Sequence, residues 1–202
     1  MDEILFRKAT NSDVEEISQL METVYRQLED PSIFACDDME YVKNHIQKEG
    51  FCIVAQNQNE KIVGVLMVRF PFEAEDNLGI DIHLPKEKLN QVAHMESCVV
   101  HPDYRGHRLQ QQLLQLAEEW IDKENFSYLL ATVAPHNIPS RHSLEKVGYH
   151  FILQKKKYGG LDRELWGRSF CHEERPFATR SALLPRGAPF CHEERPFVRL
   201  WK

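Results

Sequence analysis

The stretch that most constrains this sequence runs from Val92 to Lys123. Val92 to Val100 has the composition of a β-strand, Leu109 to Lys123 repeats its apolar residues at helical spacing, and a short turn beginning at Pro102 joins them. A strand that ends so close to a helix start gathers unpaired backbone N–H groups and the positive end of the helix dipole into one small volume. A diphosphate fits such a volume, held by Arg105 and by the backbone of Gly106, His107, Arg108, Leu109, Gln110 and Gln111. Tyr128 to Val133 follows as a continuous apolar strand. Strand, helix and strand in tight succession imply an α/β sheet with at least one parallel pair.

The flanking sequence supplies more of the same architecture. Ile4 to Ala9 reads as a strand, and Thr10-Asn11-Ser12-Asp13 caps a helix whose apolar residues are Val14, Ile17, Leu20, Met21 and Val24. Asp37 to Lys48 places Met39, Val42 and Ile46 on one helical face. Phe51 to Ala55 and Lys61 to Phe70 read as a β-hairpin across the polar turn Gln56 to Asn59. Pro71 to Gln91 is irregular and reads as a long excursion of the kind that shapes binding sites. Pro139 to Val147 predicts a short helix ended by Gly148, Tyr149 to Leu153 a further strand, and Lys155 to Lys157 a solvated strand end.

Composition narrows the partners. The chain has 202 residues and a formal net charge of −6, enough for one core and without a positive field to gather a phosphate backbone, so no nucleic acid is expected. No apolar run approaches the roughly 18 residues of a membrane span, and the acidic start MDEILFRKAT is unlike a secretory signal. A cytoplasmic location and no membrane partner follow as expectations. Cys36, Cys52, Cys98, Cys171 and Cys191 lack the spacing of a disulfide framework and are expected as reduced thiols.

The segment Val100, Pro102, Arg105 and Gly106, followed by a helix, resembles the hallmark of the GNAT superfamily of N-acetyltransferases, Val-x-Pro-x-x-Arg-Gly-x-Gly-x-Gly or Ala. Arg108 and Gln110 stand where that pattern has small residues. The order of elements from about residue 4 to 155, including Asn137-Ile138-Pro139-Ser140 and Lys146-Val147-Gly148-Tyr149, is similar to the family as well. The resemblance implies a mixed, strongly twisted sheet of about six to seven strands flanked by helices in a single domain, here residues 1–169. It implies acetyl-coenzyme A as cosubstrate, with Cys98, Val99 and Val100 pairing their backbone with the pantetheine arm and Asn137 and Ser140 facing it. Asn137 is equally a good N-cap for the helix that starts at Pro139. Homodimers also occur in such a family.

Transfer of an acetyl group to an amine needs a base, because an alkylammonium with a pKa of about 10 must lose its proton. Glu96 and His94 lie two apart on one strand, so both side chains share a face. The resemblance favours Glu96, acting directly or through a water. Direct attack needs no covalent enzyme intermediate, so Cys98 is read as core. A backbone N–H of Cys98 or Val99 would meet the developing oxyanion. Leu144 stands where the family often has a tyrosine to protonate the leaving thiolate, which leaves Tyr149 and Tyr158 as substitutes or as structural residues. The acceptor is read as a small-molecule or peptide amine. An alternative is a non-catalytic acyl-coenzyme A sensor of the same fold.

The C-terminal 33 residues differ in character: Phe170 to Phe177 recurs letter for letter from Phe190 to Phe197. Residues 171–202 hold four acidic and six basic side chains, +2, which leaves −8 for the rest, a charge that favours a cationic acceptor. Residues 170–202 are expected to be disordered or an extension foreign to the fold. Two Cys-His-Glu-Glu copies could in principle form a Cys2His2 site, but adjacent Cys-His is poor spacing for one, and no metal is expected.

Overall fold

The computed structural model describes residues 3–34 and 38–170. Expectations for Cys36, Cys171, Cys191 and the repeated tail beyond Phe170 lie outside the described residues. Seven strands form one sheet: β1 (Leu5–Lys8), β2 (Gly50–Gln56), β3 (Ile62–Arg69), β4 (Val92–Val100), β5 (Tyr128–Val133), β6 (His150–Lys157) and β7 (Leu161–Ser169). Their order is β1-β2-β3-β4-β5-β7-β6, with β4 and β5 parallel and the other described neighbours antiparallel.

Helices α1 (Val14–Arg26), α2 (Met39–Asn44, continuing as a π turn through Glu49), α3 (Leu78–Asp81), α4 (Leu109–Trp120) and α5 (Ile138–Lys146) complete the domain. Leu113, Leu114 and Ala117 of α4 pack on Ile53, Leu66, Ala93, Met95 and Leu129 on one face of the sheet. On the other face α1 packs Ile17, Leu20 and Met21 on Val54, Val65 and Met67. Beside α3 that face continues with Leu78, Val92, Leu130 and Leu165. Burial of these apolar side chains, each contributing about 1.5–3 kcal/mol, clamps the centre of the sheet between two layers.

Several boundaries differ from the sequence reading. Helix α4 stops at Trp120, not Lys123, because Ile121 turns extended and the Asp122 carboxylate accepts from the Glu124 N–H and the Asn125 side chain. Tyr149 precedes its strand: its N–H bonds Leu144 O and closes the end of α5. The 71–91 excursion contains α3 and a 3-10 turn at Lys86–Gln91. Lys155 and Lys157 are not simply solvated, since both ammonium groups grip Asp81, at 2.6 and 2.5 Å. Strand β7, inserted between β5 and β6, is an element beyond those expected from the sequence. Among the described residues no helix is long and apolar enough to cross a membrane.

Candidate active site

The parallel pairing of β4 with β5 ends at Met95 against Ala131. Beyond it, β4 continues to Val100 along β3, and β5 continues to Val133 along β7, so the two strands part. Glu96 is the first β4 residue past the vertex. Register slips at the same point: Leu66 faces Cys98 but Val68 faces Met95, so Glu96 and Ser97 together oppose Met67. This bulge inverts the alternation. Before it, Ala93 and Met95 point to the α4 side; after it, Cys98 and Val100 do, while Val99 points to the α1 side. The His101 N–H bonds Val63 O at 2.8 Å. By strand alternation Val99 N–H also faces β3, which turns the N–H groups of Cys98 and Val100 into the splay.

Glu96 is held by four groups from three elements. Its Oε2 accepts from the Tyr41 hydroxyl of α2 and lies 3.3 Å from His45 Nε2, an ion-pair contact without hydrogen-bond alignment. Its Oε1 accepts from Arg69 of β3 at 3.4 Å and lies 3.5 Å from His94 Nδ1. Burial pushes the Glu96 carboxyl up, but His45, His94 and Tyr41 outweigh it and hold the group far below the usual carboxylate range. Glu96 is therefore ionised at any working pH.

His94 does share the face of Glu96, as its spacing predicts. Its Nε2 accepts from the Leu78 N–H at 3.0 Å, which leaves the Nδ1 proton to face Glu96. Burial lowers its pKa despite the carboxylate, so the ring is neutral. Burial also pulls His45 down, but the Glu96 contact and Tyr41 O more than offset this and its pKa is raised. Arg69 is fixed by Asp76 at 2.6 Å. Tyr41, His45, Arg69 and Asp76 escaped the sequence reading; the four-residue spacing of Tyr41 and His45 was the one available signal.

The opposite flank of the splay carries Thr132, the first β5 residue past the vertex, whose Oγ1 is 3.0 Å from the Tyr158 hydroxyl. Tyr158 sits in the β6–β7 turn at φ 51°, a strained setting for a tyrosine. Tyr149 is elsewhere, fully buried beneath α4 and α5, and Leu144 is core. Burial pushes the Cys98 thiol up to about 12, so it stays protonated near neutral pH.

At the far end of β4, Arg105, Gly106, His107 and Arg108 are exposed around the N-terminus of α4. Gly106 has φ +79°, and the space where a Cβ would stand is open. Arg108, the N-cap, is left-handed at φ 61°. This explains why the similar pattern has glycine there, and shows that arginine tolerates the position at a cost of about 1–2 kcal/mol. The first-turn amides of α4, including Leu109, Gln110 and Gln111, have no intrahelical acceptors. The Gln110 side chain donates to Ser140 Oγ at 2.8 Å, tying α4 to α5. Asn137 accepts from the Ser140 N–H at 3.3 Å, so the N-cap reading of Asn137 holds. His101 likewise caps the 102–104 turn, accepting from Asp103 N–H at 3.3 Å. Among the described residues no group of three or more His, Cys, Asp or Glu is arranged to hold a metal.

The splay thus joins an unpaired strand edge, an open helix N-terminus and an ionised carboxylate at its vertex. Residues 14–149 match the Acetyltransferase (GNAT) family. The chain belongs to that family and is an acetyltransferase. Solved structures agree on the fold. A GNAT-family acetyltransferase from Streptococcus pneumoniae is 17% identical with a TM-score of 0.63, over 83% of this chain and 99% of that one. Arabidopsis thaliana NAA60 in complex with acetyl-CoA is 16% identical at TM-score 0.63, over 83% and 99%. A ribosomal-protein-alanine N-acetyltransferase from Brucella melitensis is 18% identical at 0.62, over 82% and 99%. No curated protein matches the sequence.

Proposed function

We propose that the chain transfers an acetyl group from acetyl-coenzyme A to a primary amine by direct attack, with Glu96 as base through a water. The observation that carries this is the ionised Glu96 at the vertex of the β4–β5 splay. Acetyl-coenzyme A supplies the activated acyl group when bound. The β4 edge from Cys98 to Val100 fits its pantetheine arm as an added strand. The α4 N-terminus from Gly106 to Gln111, with Arg105, fits its diphosphate.

Glu96 draws the acceptor ammonium to the vertex, where the ammonium loses one proton to solvent, and a water held by Glu96 takes the second N–H proton as the C–N bond forms and passes it on to solvent. Because its donors leave Glu96 weakly basic, the fraction of neutral amine is set by the acceptor's own pKa. His94, whose lone pair is occupied by the Leu78 N–H, positions Glu96 and does not take the proton itself. The Cys98 N–H faces the carbonyl oxygen as it gains charge. The Tyr158 hydroxyl on the opposite flank returns a proton to the departing sulfur, the part that Leu144 cannot play.

Release of free thiol from acetyl-coenzyme A, measured across a panel of amines with mass detection of the acetylated product, tests the proposal. Amine-dependent release supports it. Coenzyme A binding with no release for any amine would favour the sensor reading instead.

A further inference from the structure

Arg163 on β7 is the most buried arginine described, only 5% exposed, and it differs from the others in what it meets. Each half-buried arginine faces a carboxylate: Arg7 meets Asp13 at 2.8 Å, Arg69 Asp76 at 2.6 Å, Arg141 Glu164 at 2.9 Å and Arg168 Glu118 at 2.8 Å. Arg163 makes no such pair among the described residues. Its guanidinium donates to two backbone carbonyls, Asp162 O at 2.9 Å and Ser32 O at 2.5 Å. Its Nε has no acceptor among the described residues. A buried cation with no ion pair among the described residues is costly: Asp30 acts on Arg163 only from beyond contact distance, and burial prevails and lowers its pKa.

The position of this cation is specific. Leu165, two residues on, packs with Leu78, Val92 and Leu130, so Arg163 stands on the sheet face that carries His94 and Glu96. Its guanidinium lies 5.8 Å from the ring centre of Tyr158, whose hydroxyl reaches Thr132 at the splay. The turn Pro31–Ile33 supplies the Ser32 carbonyl and closes the opposite side. The face therefore has an anion, Glu96, at the vertex and, on its far flank, a cation with no ion pair among the described residues.

We propose that Arg163 binds a carboxylate carried by the acceptor amine, which makes the acceptor an α-amino acid or a close relative, its ammonium toward Glu96 and its carboxylate on Arg163. This rests on the acetyltransfer reading above for the role of Glu96, but not for the binding itself. It also qualifies the expectation from the domain's charge of −8, since a zwitterion satisfies both the acidic vertex and the local cation. A planar guanidinium with spare N–H groups is the side chain best shaped to take a carboxylate in paired hydrogen bonds.

The test pairs the common L-amino acids with their amides, which keep the amine and lose the carboxylate. Thiol release gives kcat/KM, and calorimetric titration without acetyl-coenzyme A gives binding. One or more acids should exceed their amides at least about tenfold in kcat/KM and in affinity. Arg163→Met should raise KM for that acid about 10- to 100-fold, with kcat little changed and the amide unaffected, and Arg163→Lys should recover part of the loss. Amides equal to or better than acids in wild-type protein would overturn the assignment while leaving acetyl transfer standing. Equal loss for acid and amide in both variants would also overturn it, by making Arg163 purely structural. If no amine releases thiol, the acetyltransfer reading fails, and the calorimetric preference alone decides the carboxylate site.

Discussion

Two carboxylates, on opposite faces of the same sheet, have been driven in opposite directions. Glu96 on β4 and Glu118 on α4 are both largely buried, with side chains 15% and 10% exposed. Glu96 is surrounded by Tyr41, His45, Arg69 and His94, and it is held ionised. Glu118 meets Arg168 at 2.8 Å, but among the described residues its Oε1 has no hydrogen-bond partner, and neither does the nearby Tyr149 hydroxyl. Burial wins there and pushes the Glu118 carboxyl up to about 6. The difference is the number of donors aimed at the carboxylate, not depth. A site that must keep an anion away from water builds a shell around it; Glu118 has half a shell.

The largest expected effect removes the anion with the complete shell. Glu96→Gln should lower kcat/KM for amine-dependent thiol release by about 10²- to 10⁴-fold, with acetyl-coenzyme A binding retained. An unchanged rate would show that the shell serves the fold alone.

The second effect is on stability. Because the folded-state pKa of Glu118 is raised above the ordinary 4.5, its contribution is fully present below pH 4.5 and lost as pH rises through about 6. Urea unfolding should show the wild-type protein losing about 2 kcal/mol across that window through this group, a loss absent in Glu118→Gln. Parallel pH curves for the two proteins would contradict the contrast with Glu96.

The smallest effect lies at the helix start. Arg108→Gly should gain about 0.5–1 kcal/mol in denaturant unfolding, since relief of the left-handed strain exceeds the entropy cost of glycine.

How much of this was legible beforehand follows the range of the interactions. The strand–turn–helix passage from Val92 and the shared face of His94 and Glu96 are local patterns, and both appear where expected, except that the helix ends at Trp120 and not Lys123. The shell around Glu96 was not legible, because Tyr41 lies 55 residues away and Arg69 lies 27 away. Strand β7 was missed because charged Arg163 and Glu164 are both buried in its middle, which erases the alternation that marks a half-buried strand. The same irregularity that hid the strand marks the proposed carboxylate site. Arg108 shows the reverse case: the departure from the glycine pattern was visible, but its left-handed backbone was not.

The pH dependence of kcat/KM for amine-dependent thiol release tests the central claim most directly. With Glu96 ionised throughout, the rate should rise with the titration of the acceptor amine, show no Glu96 limb between about pH 5 and 8, and lie lower in Glu96→Gln at every pH. A limb in that range which disappears in Glu96→Gln, or coincident profiles for the two proteins, would contradict the account.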